Sequence, residues 1–518
     1  MSGASGGSRA GSNALFLLLQ GLAASVFGLL QMKLFTVGLG EEVFGLFLAL
    51  RGLAVLLSSV GVMALPQLAQ RFGPQLEVRG DRGALLRGAV TLVVALLGFY
   101  AVVGLAAWRF WPQLAGRVAP QTALEPLLLP TVFLGLALGL AELAAGLYQG
   151  LRRMAPMALA ELLGLAGLTL HLFLRRATLD APGALRLFAL WFLLRALLLL
   201  ALLPWWLPRG GGAPSALGAL RIGRRQLLDY WLTSLPLRWL ALAYFELDRY
   251  VIGMVAAVEL VALFHVPARL VGISKRFLAA PVLSFQTEVS RLFEERREGE
   301  LAARLQLILR GQLAVACWFA AGLYLAGRPL LLLLSTGAYL EALPLLALLA
   351  ITLPLGSLVA VLEAALRGLD GLRAVLVGNL LWALLYYAAL PLFIGRWGLW
   401  GLGFAQVSAA AVQAVWVMGV AARRGWLTGA LGGVCRSALV GLAPAALGIA
   451  AALAWPGGSA VAPSAAGVGT GLALLASSAL LALRGRGLFA ADEKRWLLDR
   501  LPSTALRHGL GRVMGVAA

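Results

Sequence analysis

Two stretches, "EVFGLFLALRGL" at 42–53 and "ELVALFHVPARL" at 259–270, decide the architecture. In each, an acid opens the segment, a phenylalanine follows five residues later (Phe47, Phe264), and an arginine comes four or five residues after that (Arg51, Arg269). The two lie 217 positions apart (42 against 259). A second pair recurs at nearly the same spacing: Glu142 is followed eight residues on by Gly-Leu-Arg at 150–152, and Glu363 by Gly-Leu-Arg at 371–373, an interval of 221 (142 against 363). Self-similarity at one long spacing marks two copies of a structural unit.

The chain around these stretches is too apolar for a water-soluble globule. Of its 518 residues 61% are hydrophobic and 13% charged, and the mean hydropathy is +0.88. Apolar runs of roughly 20 residues, the length that crosses the hydrocarbon of a bilayer, recur with short polar breaks. About fourteen are expected, over 14–37, 43–69, 86–108, 126–148, 155–175, 184–206, 227–251, 260–287, 302–325, 330–366, 373–394, 398–421, 435–455 and 464–484. The stretch at 330–366 is long enough to hold a loop in its first part.

Together with the repeat, these runs predict an all-α polytopic membrane protein. Two six-helix lobes, 14–207 and 227–422, are joined by a cytoplasmic linker at 208–226 and followed by two added helices at 435–484. Residues 1–13 read as a flexible cytoplasmic N-terminus, and 485–518 as a cytoplasmic amphipathic tail whose Trp496, Leu497, Leu498 and Leu501 alternate with charges, fit to lie on an anionic leaflet. An even number of helices gives both lobes the same orientation, so their pseudo-two-fold axis runs along the membrane normal and a cleft lies between them.

The net charge of +20 would point to nucleic acid in a soluble protein. In a membrane protein the placement of basic residues between loops sets topology first. With the N-terminus inside, inner loops hold Arg71, Arg79, Arg82 and Arg87, then Arg152 and Arg153, then Arg209, Arg221, Arg224 and Arg225, then Arg291, Arg296 and Arg297, while the outer loops are nearly bare. Both termini are therefore expected in the cytoplasm, with the chain in the cell's inner membrane and no nucleic-acid partner. Two cysteines and three scattered histidines match no disulfide framework and no metal-ligand spacing, so neither a metal nor a cofactor is expected.

Ionisable residues at membrane depth are costly and usually face a watery cavity or a partner. On the span at 260–287, His265, Arg269, Gly272 and Arg276 share one helix face, a basic stripe. In the matching span Arg51 sits at the equivalent outer-third depth. If the repeat places Arg51 and Arg269 across a cleft, an anion belongs between them, since guanidinium groups bind phosphate with paired hydrogen bonds. The alternative is that they snorkel to the interface or pair locally with Glu42 or Glu259. Lys33 is a further candidate for the basic surface, or snorkels to the interface; Arg195 and Arg238 either add to that surface or are each tied to a carboxylate. The carboxylates Glu142 and Glu363 occupy equivalent sites in spans 4 and 10, with Glu161 at similar depth in span 5. Two readings stand: they carry a coupling proton or sodium ion, or they form buried salt bridges with Arg238 or Arg367 that lock one state. Asp248, in the last turns of span 7, reads either as a solvated helix-end charge or as part of a gate at the outer mouth.

Three stretches carry a family likeness: "YWLTSLPLRWLALAYFELDRYVIGMVAAVELVALFHVPARL" at 230–270, "VGLGEEVFGLFLALRGLAVLLSSVGVMALPQLAQRF" at 37–72 and "LSTGAYLEALPLLALLAI" at 334–351. With the fourteen-span count, the chain resembles the polysaccharide flippases, O-antigen type, of the multidrug/oligosaccharidyl-lipid/polysaccharide superfamily over roughly residues 14–484. The likeness is one of texture and order, without a unique catalytic signature. It implies alternating access by two lobes, a cationic cavity that Arg51, Arg269 and Arg276 would supply, and a non-enzymatic role in surface-polysaccharide biosynthesis. The implied substrate is an oligosaccharide on undecaprenyl pyrophosphate, with membrane lipids and a polysaccharide polymerase as partners. It also leaves open lipid II as the cargo, with the last two spans forming a groove for the lipid tail. A multidrug cation antiporter of the same superfamily is the rival within transport, and an acidic cavity would favour it. A membrane glycan ligase or polymerase is the rival from another class. It needs acids on outer loops, and the longest loops there offer Glu125 and Asp180, too few for an acid/base pair.

Overall fold

A computed structural model describes residues 5–69, 82–115, 125–151, 153–176, 178–206, 247–294, 298–368, 371–426, 442–450, 465–484 and 491–499. It also describes short pieces between 228 and 240 and positions 452, 488–489, 511 and 513–515. The expected linker at 208–226 lies outside the described residues.

The described backbone is helical. In hydrocarbon every peptide group must be satisfied within the chain, and a helix does this segment by segment. Helices α1 (Ser5–Gly38), α2 (Gly40–Val62), α3 (Arg82–Ala115), α4 (Glu125–Gly150), α5 (Met154–Arg175), α6 (Ala181–Trp206) and the short α7 (Leu247–Val255) come first. Then follow α8 (Val258–Glu294), α9 (Glu298–Leu334), α10 (Leu343–Gly368), α11 (Leu372–Trp397) and α12 (Leu399–Arg423), with α13 (Ala465–Arg484) and α14 (Ala491–Asp499) last. Pro130, Pro204, Pro329, Pro354 and Pro391 all lie inside helices, as membrane helices allow.

Among the described residues, eleven helices are long and apolar enough to cross a membrane. Three expected spans fall outside that number for different reasons. The span at 227–251 is described only in pieces, and that at 435–455 only at 442–450 and 452. The span at 260–287 is present as α8, 37 residues long; its basic residues and Glu259 lower its hydropathy. The long stretch at 330–366 divides as its length requires. Helix α9 runs through Pro329 to Leu334, a 3₁₀ turn follows at Gly337–Ala342, and α10 starts at Leu343.

Contacts divide the chain into two compact units, residues 1–262 and 263–518. In the first, α4 packs on α6 and α2, α1 packs on α5, and α7 packs on α2. Its core joins Val62, Leu96, Tyr100, Leu140 and Leu143 to Ala196, and Ala144, Tyr148 and Met157 to Leu199. Small residues set the closest approaches, as in membrane bundles generally. A side chain at Gly45 would meet the Val258 carbonyl oxygen at 2.0 Å, and one at Gly167 would meet the Trp191 ring at 2.1 Å.

In the second unit α9 packs on α10, α11 on α12 and α10 on α12, around Leu305, Leu309, Val361, Leu362, Leu366 and Val417. The expected tail helix forms as α14, and its Leu498 packs with Leu488, Phe489 and Met514 against Leu307 and Ala314 of α9. Arg310 bonds Glu493 at 2.6 Å. Lys494, 4% exposed, donates to the carbonyls of Arg484 (2.7 Å) and Met514 (3.0 Å). The α13 C-terminus thus ends on a cation, the sign its dipole favours.

Candidate functional site

The basic stripe lies on α8. Along its face the residues pass from covered to open: His265 is buried, Arg269 half-buried and Arg276 exposed. Among the described residues nothing stands within 4 Å of where a Gly272 side chain would begin, so the middle of the stripe borders open space there. Lys275, beside the stripe, is half-buried. The helix therefore presents a face that carries several basic side chains.

In the first unit Arg51 stands half-buried on α2, its guanidinium 5.6 Å from the centre of the Phe188 ring. That ring belongs to an aromatic cluster with Phe35 (5.7 Å), Phe47 (5.2 Å) and Phe192 (6.3 Å). A ring face attracts a cation. Lys33, on α1, is half-buried. Asp248 is buried in α7, and its carboxylate accepts from the Arg249 backbone amide at 2.7 Å.

The three membrane carboxylates each hold an arginine. Arg238 donates to Glu142 at 2.5 Å. Arg195, on α6, donates to Glu161 of α5 at 3.0 Å, and Gln20 of α1 donates to the same carboxylate oxygen. Glu363 of α10 is the most enclosed. It accepts from Arg367 at 2.9 Å, Asn379 of α11 at 3.0 Å and Gln413 of α12 at 3.3 Å, and Gln413 also donates to Asn379 at 3.3 Å. These contacts tie three helices at one point. The two salt bridges weighed in the sequence, Arg238–Glu142 and Arg367–Glu363, are both formed.

Sequence reasoning named Arg195 without identifying its carboxylate, Glu161, and did not find the partners Gln20, Asn379, Gln413 and Phe188. A polar residue inside an apolar span was the available signal for the first three of these. Gln31 is another of this kind, donating to Thr169 at 3.0 Å between α1 and α5.

The second unit also holds an apolar cavity of about 490 Å³. Cys317 and Tyr324 of α9, Leu343, Ala347, Ile351 and Pro354 of α10, Trp400 of α12, and Leu442, Ala445 and Ile449 line it. The expected tail groove was placed on the last two spans; this cavity draws on the first of them, with no residue from α13. Its walls suit a hydrocarbon chain and offer almost nothing to a charged group.

The helices and these buried charges define a multi-pass membrane protein. The particular fold is one shared with solved flippase and transporter structures. A lipid II flippase, MurJ, in an inward closed conformation is similar over 90% of this chain and 98% of its own, with a TM-score of 0.62 and 12% identity. An inward-facing multidrug resistance MATE transporter is similar over 78% of this chain and 96% of its own, with a TM-score of 0.59 and 16% identity. A MATE in complex with MaD3S aligns over 81% and 96%, with a TM-score of 0.51 and 16% identity. No protein-family model and no curated protein sequence matches the chain.

Proposed function

We propose that this protein is a flippase that carries a lipid-linked anionic glycan, an oligosaccharide on undecaprenyl pyrophosphate, from the cytoplasmic to the periplasmic leaflet by alternating access. The observation that carries this reading is the basic stripe of α8, which ends in an exposed arginine. Glu142, Glu161 and Glu363 are each engaged by an arginine, while the α8 stripe leads to an exposed Arg276 beside open space at Gly272. A site built for a cationic drug needs the reverse balance. The pyrophosphate binds Arg51, Arg269 and Arg276, with His265 and Lys33 extending the basic surface, and the polyprenyl tail stays in lipid or in the apolar cavity. The protein sits in the inner membrane with both termini cytoplasmic and hands its cargo to a polymerase in surface-polysaccharide synthesis. A coupling proton or sodium ion would act at Glu142, Glu161 or Glu363, and Asp248 at the outer mouth.

A second reading has lipid II as the cargo. It is favoured by the MurJ fold, which matches 90% of the chain where the MATE fold matches 78%. Both cargoes present a polyprenyl pyrophosphate, so the arginines serve either. Complementation separates them. In a host lacking its O-antigen flippase, wild type restores surface glycan, whereas Arg269→Ala and Arg276→Ala at equal protein level lose it and accumulate the lipid-linked precursor. Rescue only of a host depleted of its lipid II flippase selects the second reading. Normal export by both alanine variants overturns the anion site.

A further inference from the structure

The second span breaks where the sequence offers no glycine. Helix α2 stops at Val62, and Met63 and Ala64 both take left-handed conformations, with φ of 46° and 58°. Helix then resumes through 69, where the amides of Gln67 and Leu68 donate back to the Ala64 carbonyl. Two consecutive non-glycine residues in this region are strained, and they persist only where surroundings fix them.

Pro66 accounts for part of the break, because a proline inside a helix clashes with the carbonyl four residues back. It does not account for all of it. The second copy carries Pro281 inside α8, and α8 runs unbroken from Val258 to Glu294 across it. Something particular to the first copy holds the left-handed pair.

The contacts name it. The Trp231 indole donates to the Met63 carbonyl at 2.5 Å, a carbonyl whose usual partner, the Gln67 amide, is turned to Ala64. Seven residues along the chain, Arg238 donates to Glu142 of α4. Gly146, one turn beyond Glu142, lets Pro66 approach so closely that a side chain there would meet the proline ring at 2.7 Å. At the 221-residue spacing of the repeat, Gly146 matches Arg367, the arginine that pairs with Glu363 (146 against 367). In the first copy the broken span occupies that place, and span 7 supplies the arginine instead.

We propose that Met63–Ala64 is a hinge in the second span and that Trp231 is the latch that holds it bent. Release of the indole frees residues 65–69 to swing or straighten against α4, a device the second copy lacks. The proposal is independent of the cargo.

Hydrogen–deuterium exchange of the full-length protein in lipid nanodiscs tests it. Trp231→Phe keeps the ring and removes the donor. It should speed exchange across 58–70 about tenfold, the factor corresponding to one lost hydrogen bond, and leave 258–294 unchanged. Adding Ala64→Gly, which adopts the left-handed conformation without cost, should restore the protection. Unchanged exchange in Trp231→Phe overturns the latch, and failure of the glycine to restore protection overturns the strained hinge. If Trp231→Phe does not fold, Met63→Gly with Trp231 intact should slow exchange across 58–70 below wild type, and equal or faster exchange there overturns the proposal.

Discussion

Removing the carboxylate of Glu363 should destabilise the second unit far more than removing the arginine paired with it. The Glu363 side chain is 9% exposed and that of Arg367 46%. Glu363→Ala takes the acceptor from the amides of Asn379 and Gln413, which sit among buried helices. Each stranded donor costs about 1–3 kcal/mol. Both amides keep a second bond, Asn379 to the Val375 carbonyl at 2.9 Å and Gln413 to Asn379, which holds the sum to about 2–4 kcal/mol. For a unit of this size that is a fall of roughly 5–15 °C in apparent melting temperature. Arg367→Ala leaves the amide contacts in place and removes a half-exposed cation, so it should cost about 1 kcal/mol or less. Glu363→Gln falls between, because its amide presents donors to Arg367 while its oxygen still serves Asn379 and Gln413. Intrinsic tryptophan fluorescence during heating of the detergent-solubilised variants reads all three. If Arg367→Ala lowers the melting temperature as much as Glu363→Ala, the ion pair and not the amide network holds the three helices, and the reasoning fails.

Other variants probe separate parts of the account. Gly45→Ala forces a side chain to within 2.0 Å of the Val258 carbonyl oxygen and should cost about 1–3 kcal/mol; Gly272→Ala, facing open space, should leave the same melting curve unmoved. Ala347→Trp fills the apolar cavity and should reduce the lipid that co-purifies with the protein, measured by native mass spectrometry, at unchanged melting temperature. Lys494→Met strands the Arg484 and Met514 carbonyls, each at a cost of about 1–3 kcal/mol, and should expose the tail after α14 to limited trypsin digestion while the rest of the chain resists.

The helical fold was legible because its signal is local. A run of about 20 apolar residues has one stable form in a bilayer, and the repeated Glu142 and Glu363 stood at recognisable intervals. The Glu363–Arg367 bridge was legible for the same reason, since residues four apart on one helix meet whatever surrounds them. Bridges between helices were harder. Arg195 and Glu161 are 34 residues apart, and only the rotation of α5 against α6 brings them together. Gln20, Asn379 and Gln413 were visible as polar residues in apolar spans, but a sequence does not say which carboxylate they turn to. The break at Met63–Ala64 left no mark except Pro66, because left-handed backbone is ordinarily announced by glycine. The amphipathic pattern of the tail suggested a helix on a leaflet, whereas the surface that receives Leu498 of α14 is α9, a choice that depends on tertiary packing.

The central claim is that the protein binds a polyprenyl pyrophosphate through the arginines of its basic surface. Equilibrium binding of undecaprenyl-pyrophosphate-linked oligosaccharide to the purified protein, followed by native mass spectrometry with inorganic pyrophosphate as competitor, tests it most directly. The account predicts saturable binding that pyrophosphate displaces, that Arg276→Ala weakens by about tenfold or more, consistent with the loss of one charge-assisted contact, and that a cationic drug does not disturb. Binding of the cationic drug with indifference to pyrophosphate and to Arg276→Ala would contradict it.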